Sequence, residues 1–157
     1  MESVRREVVL PRSETVKRIG VVWQPKQKEA FRYVHDYFTQ ERVIFRNLCV
    51  SEKTVDPHSG SNNVTKKDLN WMGMPKPGVI DNFLETEFDV LFNLALKQNI
   101  VLDYITGLSK AKFKIGWSDS ERNYFDLNIK IGRNKDALYL AKQQIFYLGE
   151  LNKKVST

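Results

Sequence analysis

Cysteine occurs once in these 157 residues and histidine twice. A single thiol cannot close an intrachain disulfide, so burial must hold the chain together, and a reducing compartment is the natural setting. Cys49, His35 and His58 fall at no metal-ligand spacing, so no metal centre is expected. Cys49 sits inside an apolar stretch, where a thiol is an inert core group, and His35 lies off the apolar line of its segment, facing solvent. None of the eight glycines forms Gly-x-Gly-x-x-Gly or a Walker loop. No cofactor is expected. Ser118 and Ser120 lack the strand-turn-helix setting of a nucleophile elbow, so no catalytic residue can be named. No apolar run reaches the roughly 18–20 residues that span a bilayer, and the amino terminus lacks the apolar stretch of a secretory signal. A cytoplasmic chain with no membrane partner is expected.

What is present is an ordinary globular balance: 41% hydrophobic and 28% charged residues, with a net charge of +6. A domain of this length buries roughly 68–70% of its unfolded surface, which is enough for one core without crosslinks. Residues 1–16 read as a polar, mobile lead-in, with a short helix around Val4 to Leu10 that Pro11 stops. Residues 17–157 read as a single domain.

Residues 88–131 carry the fold signal. Phe88-Asp-Val-Leu-Phe-Asn-Leu-Ala-Leu96 is an apolar strand, Asn99 to Lys110 a helix and Lys112 to Gly116 a second strand. A nearly continuous apolar strand that feeds a helix and then a strand is a βαβ unit whose first strand is buried on both faces. Lys17 to Trp23, a helix from Lys26 to Gln40 opened by Pro25, and Arg42 to Val50 make another. Ser51 to Asn63 is rich in turn formers and reads as a surface loop. Val64 to Trp71 reads as a short strand and Val79 to Glu85 as a short helix. Phe113 and Ile115 alternate with Lys112 and Lys114, and Leu127, Ile129 and Ile131 alternate with polar residues, so both segments read as one-sided strands at a sheet margin. The connection Trp117 to Tyr124 is too short for a crossover helix, which predicts that these two strands pair antiparallel. Asp136 to Asn152 is a helix with Leu138, Ala141, Ile145 and Leu148 as its buried line. Together these elements predict an α/β fold, a Rossmann-like three-layer sandwich with a mostly parallel sheet and an antiparallel edge.

Phe88 to Leu96, Tyr104-Ile-Thr-Gly-Leu-Ser-Lys-Ala-Lys-Phe-Lys-Ile-Gly116 and Tyr124-Phe-Asp-Leu-Asn-Ile129 resemble a family of short α/β proteins from Bacteroidetes, classified as a domain of unknown function. The likeness runs from about Lys17 onward and implies no activity. Asp89-Val-Leu-Phe-Asn-Leu94, a helix, and Ala111-Lys-Phe-Lys-Ile-Gly116 are also similar to the amino-terminal half of heptosyltransferase-type glycosyltransferases. In that resemblance Asn93 stands where a second acidic residue belongs. Arg18-Ile-Gly-Val-Val-Trp-Gln-Pro25 also lacks the Gly-Asp turn of the catalytic site, and a nucleotide-sugar half would need about 100–200 further residues.

Three candidate surfaces follow from position. In an open α/β sheet, ligands gather outside the carboxyl ends of the strands. There Trp23, Gln24, Ser51, Lys97, Gln98, Asn99 and Trp117 would line a crevice for a sugar or an anionic small molecule. Lys97, Lys110, Lys112 and Lys114 form a local basic excess that would have to make a continuous stripe to bind an anion or nucleic acid; nucleic acid is disfavoured because no binding motif accompanies the charge. Tyr139, Phe146 and Tyr147 exceed the buried line of the last helix and offer a homodimer contact. Asp89 and Asp126 read as surface residues rather than a carboxylate pair. The functional expectation is a non-catalytic binding or interaction protein, with a degenerate glycosyltransferase-like domain or another enzyme as the alternative.

Overall fold

The computed structural model describes residues 6–12, 15–39, 42–51 and 63–156, with side chains to residue 151. Among the described residues six strands form one sheet: β1 (Arg18–Trp23), β2 (Ile44–Val50), β3 (Asn63–Val64), β4 (Val90–Asn93), β5 (Lys114–Gly116) and β6 (Leu127–Asn128). Four α-helices among the described residues cover it: α1 (Lys28–Phe38), α2 (Asp81–Glu85), α3 (Ile100–Leu108) and α4 (Ala137–Ser156). The strand order is β3-β2-β1-β4-β5-β6, and every described pairing is parallel. That order is the doubly wound one, in which the winding reverses between β1 and β4.

The reversal sets the layers. Right-handed crossovers that leave β1 in one direction and β4 in the other put their helices on opposite faces of the sheet. Accordingly Ile19, Val21, Trp23, Val90, Phe92 and Ile115 pack with Ala30 and Val34 of α1 and with Leu140, Ala141 and Ile145 of α4. Val22, Leu48, Val50 and Leu91 pack with Phe83 and Leu84 of α2 and with Leu102 and Ile105 of α3. β4 is fully buried on both faces, as its unbroken apolar run requires. The central strands and the long helices fall where their patterns place them.

The margin does not. β6 runs parallel to β5, with Ile115 opposite Leu127 and Gly116 opposite Asn128, rather than antiparallel. The expectation assumed that a return needs a helix, but a three-residue strand is only about 10 Å long. Ten residues, 117–126, retrace that length without one, and Asn128 clamps the start of the loop through both the amide and the carbonyl of Ser118 at 2.9 Å each. Lys114 also departs from the alternation: it is buried, because β6 covers the edge that β5 was expected to form.

The lead-in departs as well. Residues 6–10 carry no helix. Val9 donates its amide to the Lys112 carbonyl at 3.0 Å, and the Arg6 guanidinium grips Asp126 through both carboxylate oxygens at 2.7 and 2.8 Å. Leu10 and Val16 pack on the α1/α4 face of the core. The Ser51 to Asn63 loop lies largely outside the described residues, as do His58 and the first five residues. Among the described residues no helix is long and apolar enough to cross a membrane.

Gly116 ends β5 because the Phe125 ring lies where its side chain would stand. Gly116→Ala is therefore expected to push Phe125 off the strand, costing about 1–3 kcal/mol as read by urea denaturation, with the β5–β6 pairing lost first.

Candidate functional site

The β1–α1 connection decides what the switch point can hold. In dinucleotide-binding sheets this turn offers free backbone amides to a pyrophosphate. Here Pro25 has none, the Gln24 amide donates to Gln27 Oε1 at 3.0 Å, and the Gln27 amide donates to the Gln24 carbonyl at 2.8 Å. Three of the four positions from Gln24 to Gln27 therefore offer a phosphate no free amide. Trp23 is closed off too: its ring stacks on Phe31 at 4.5 Å and its indole N–H donates to Asn47 Oδ1 at 3.1 Å.

Beside that turn lies a cavity of about 450 Å³. Gln24 and Gln27 come from the end of β1, Leu96 and Lys97 from the end of β4, and Lys135 to Leu138 from the start of α4. Lys26, Glu29 and Ala30 complete the wall. Asp136 is already committed, since its Oδ1 accepts the Leu138 amide at 3.0 Å and caps α4. Lys26, Lys97 and Lys135 enter no ion pair among the described residues. A small cationic cavity at the carboxyl edge is the result.

Of the seven residues expected to form a crevice, only Gln24 and Lys97 meet in this cavity. Ser51 and Asn99 line a second one, of about 300 Å³, over the other face of the sheet, with Val50, Val64, Lys66, Leu69 and Val101. Asn99 caps α3, accepting the Leu102 amide at 2.9 Å. Gln98 and the Trp117 carbonyl belong to a buried polar knot between the two cavities: Gln98 Nε2 donates to that carbonyl at 3.1 Å. Sequence reasoning missed Lys26, Lys135 and Asp136. They were legible only as the starts of the helices that follow strands on the carboxyl edge.

Asn93 is the centre of the knot. Its Nδ2 donates to Gln98 Oε1 at 2.9 Å and to Thr106 Oγ1 at 3.1 Å, while its Oδ1 accepts from the Ala95 amide and from Gln98 Nε2. A carboxylate here would have no donor to give, so the amide is a structural requirement of this chain. Gln144 reaches the same place from α4, donating to the Asn93 carbonyl at 2.9 Å. Its Oε1 finds no donor among the described residues.

The four lysines of the expected stripe are not brought together. Lys97 is at the carboxyl edge, whereas Lys110 and Lys112 precede β5 at the opposite edge. Lys110 pairs with Glu85, which raises its pKa through the hydrogen bond and the charge. Lys112 lies 3.7 Å from Asp89. Lys114 points into the protein toward the Gly107 carbonyl, 3.4 Å away, at the carboxyl end of α3. Asp89 accepts the Lys17 and Arg18 amides and Asp126 the Lys114 amide, so the two acids organise backbone separately.

His35 does not simply face solvent: it is half-buried, its ring edge to face with Phe45 of β2 at 5.1 Å and its Nδ1 3.2 Å from Asp36, and Cys49 is buried within β2. Tyr139, Phe146 and Tyr147 are exposed along α4, with Phe146 and Tyr147 edge to face at 5.3 Å. No cluster of three or more His, Cys, Asp or Glu side chains able to hold a metal occurs among the described residues.

Residues 2–151 match the model of a family described as a family of unknown function, DUF6913, and the chain belongs to that family. No curated protein and no solved structure matches it.

Burial, reinforced by the Arg6 charge and opposed by Asp126, lowers the pKa of Lys114 to about 8. Below that pH the ammonium is charged in folded and unfolded chains alike, and the folded state bears the cost of burying it. Between about 8 and 10.5 the folded chain sheds the proton first, so the cost fades as pH rises. Lys114→Met is expected to be more stable than the native chain at neutral pH by about 1–3 kcal/mol. That advantage should shrink across this alkaline interval in pH-dependent urea melts.

Proposed function

We propose that this DUF6913 member is a non-catalytic binding domain that holds a small, hydroxylated, anionic molecule of the size of a sugar phosphate or sugar acid in the cavity between β1 and β4. The carrying observation is that Lys26, Lys97 and Lys135, drawn from three different elements, surround one concave space where the strand order reverses. About 450 Å³ lies within the range of small-molecule sites. Three ammonium groups without an ion pair among the described residues outnumber the two carboxylates of the wall, Glu29 and Asp136, and favour an anion, while Gln24 and Glu29 suit hydroxyl groups. The occupied amides of the β1–α1 turn argue against a dinucleotide and leave the anion to side chains.

The absence of catalysis in this proposal rests on how the reactive groups are used. His35 and Cys49 lie away from the cavity, and Asn93 occupies the position where the glycosyltransferase resemblance would require an acid. Its amide is consumed by four hydrogen bonds.

A panel of glucose, glucose 6-phosphate and glucuronate tests this proposal by thermal unfolding. At a hundredfold excess over Kd, binding adds about 2.7 kcal/mol, which for a domain of this size is a rise in Tm of about 5–10 °C. The two anions should give that rise and glucose should not. Lys97 is exposed, so Lys97→Ala should leave the unliganded Tm unchanged while weakening anion binding about tenfold. No rise with either anion would remove the proposal.

The exposed aromatic face of α4 supports a second reading, in which two copies meet through Tyr139, Phe146 and Tyr147. Light scattering after size exclusion should then give twice the chain mass, and Phe146→Ser should return it to the monomer value.

A further inference from the structure

Between β3 and α2 the chain forms a narrow hairpin whose construction is tighter than a surface loop requires. Leu69 and Pro75 face each other in an antiparallel bridge. The Lys76 amide donates to the Asp68 carbonyl at 2.7 Å, and the Asn70 amide to the Met74 carbonyl at 2.7 Å. The Asn70 side chain then accepts the Met72 and Met74 amides at 2.9 and 3.1 Å. Gly73 turns the chain at φ 78°, a conformation that favours glycine.

The purpose of this bonding is not burial. Trp71, at the tip, is 92% exposed, and Met72 beside it is 58% exposed. Ordering a loop in order to hold its largest apolar side chain in water is unfavourable unless something covers that side chain. Just below the tip, Lys66, Lys67 and Lys76 are all exposed. None of the described carboxylates pairs with them, and Asp68, in the same turn as Lys66 and Lys67, accepts the Thr65 amide and hydroxyl at its Oδ2. The hairpin is an apolar wedge with a cationic collar.

We propose that this hairpin is a foothold on an anionic lipid surface, with Trp71 and Met72 entering the headgroup region and Lys66, Lys67 and Lys76 lying against the phosphates. Tryptophan favours that interface because its ring is apolar and its N–H is polar. Lysines within a Debye length of an anionic leaflet add attraction that salt removes. The net charge of +6 acts in the same direction. Trp71 and Met72 line none of the described cavities, and a protruding tip suits a fluid surface that closes over it. Single-stranded nucleic acid would instead need a track on which successive bases stack, and the tip offers one aromatic ring. The expectation of no membrane partner rested on the absence of long apolar runs, which bears on spanning a bilayer and not on resting upon it.

Intrinsic fluorescence isolates the event. Trp23 is 7% exposed and Trp117 half-buried, so a blue shift on binding reports Trp71. Vesicles of phosphatidylcholine with about one-third phosphatidylserine are expected to sediment the protein and shift its emission, and pure phosphatidylcholine vesicles to do neither. Raising the salt from about 0.05 to 0.5 M should release it. Trp71→Ala should lose the shift and bind about tenfold more weakly; Lys66→Glu with Lys67→Glu should weaken binding at least as much. Because these side chains are exposed, both variants should melt with the native chain, and each decides independently if the other fails to fold. Failure to sediment with the anionic vesicles, or sedimentation unchanged in Trp71→Ala, would overturn the proposal. So would a larger Trp71 response to an oligouridylate than to the vesicles.

Discussion

The parallel pairing of β1 with β4 is the constraint on which the rest of this structure depends. From it the chain winds outward in both directions, so α1 and α3 must cover opposite faces and two separate apolar layers form. The same reversal separates the loops that leave the two strands, and a parted pair of loops leaves a space at the carboxyl edge. The cavity with Gln24 and Lys97 on its walls is therefore a consequence of winding order before it is a property of any side chain.

Holding that space open has a cost met by buried polar groups. Leu94 and Ala95, immediately after β4, are fully buried, and the chain must turn there without leaving amides unpaired. Asn93 provides both donor and acceptor, Gln98 returns the bonds, and Thr106 and Gln144 bring them to α3 and α4. Low local dielectric makes such a network stiff when satisfied and unfavourable when broken. Its effect is to fix the β4–α3 turn, and with it Lys97, against the rest of the sheet.

The described ion pairs between elements gather at one end of the sheet. At the amino edge Glu85 pairs with Lys110, Asp89 with Lys112 and Asp126 with Arg6, while Lys17 and Arg18 enter no ion pair among the described residues. At the carboxyl edge, Lys26, Lys97, Lys135 and, on the other face, Lys66 have no acidic partner among the described residues. The Trp71 hairpin leaves the sheet from that edge as well, directly after β3.

The α/β class, the two βαβ units, the doubly buried β4 and the long helices α1 and α4 were determined by the sequence alone, because each shows in the spacing of apolar residues along a short stretch. Leu91 and Phe92 need no distant partner to read as strand interior. Pairing direction at the margin was not determined locally: whether β6 returns parallel depends on how far ten residues reach beside a three-residue strand. The fate of Lys114 was equally hidden, since alternation predicts two faces and only the strand beyond it decides whether the second is wet. The site was legible in part. The rule for strand ends finds Gln24 and Lys97, but Lys26, Lys135 and the α4 start join them only through packing between segments more than a hundred residues apart. Tertiary structure alone decided these points, because a cavity is defined by what surrounds it and one-dimensional spacing carries no information about what lies across from a side chain.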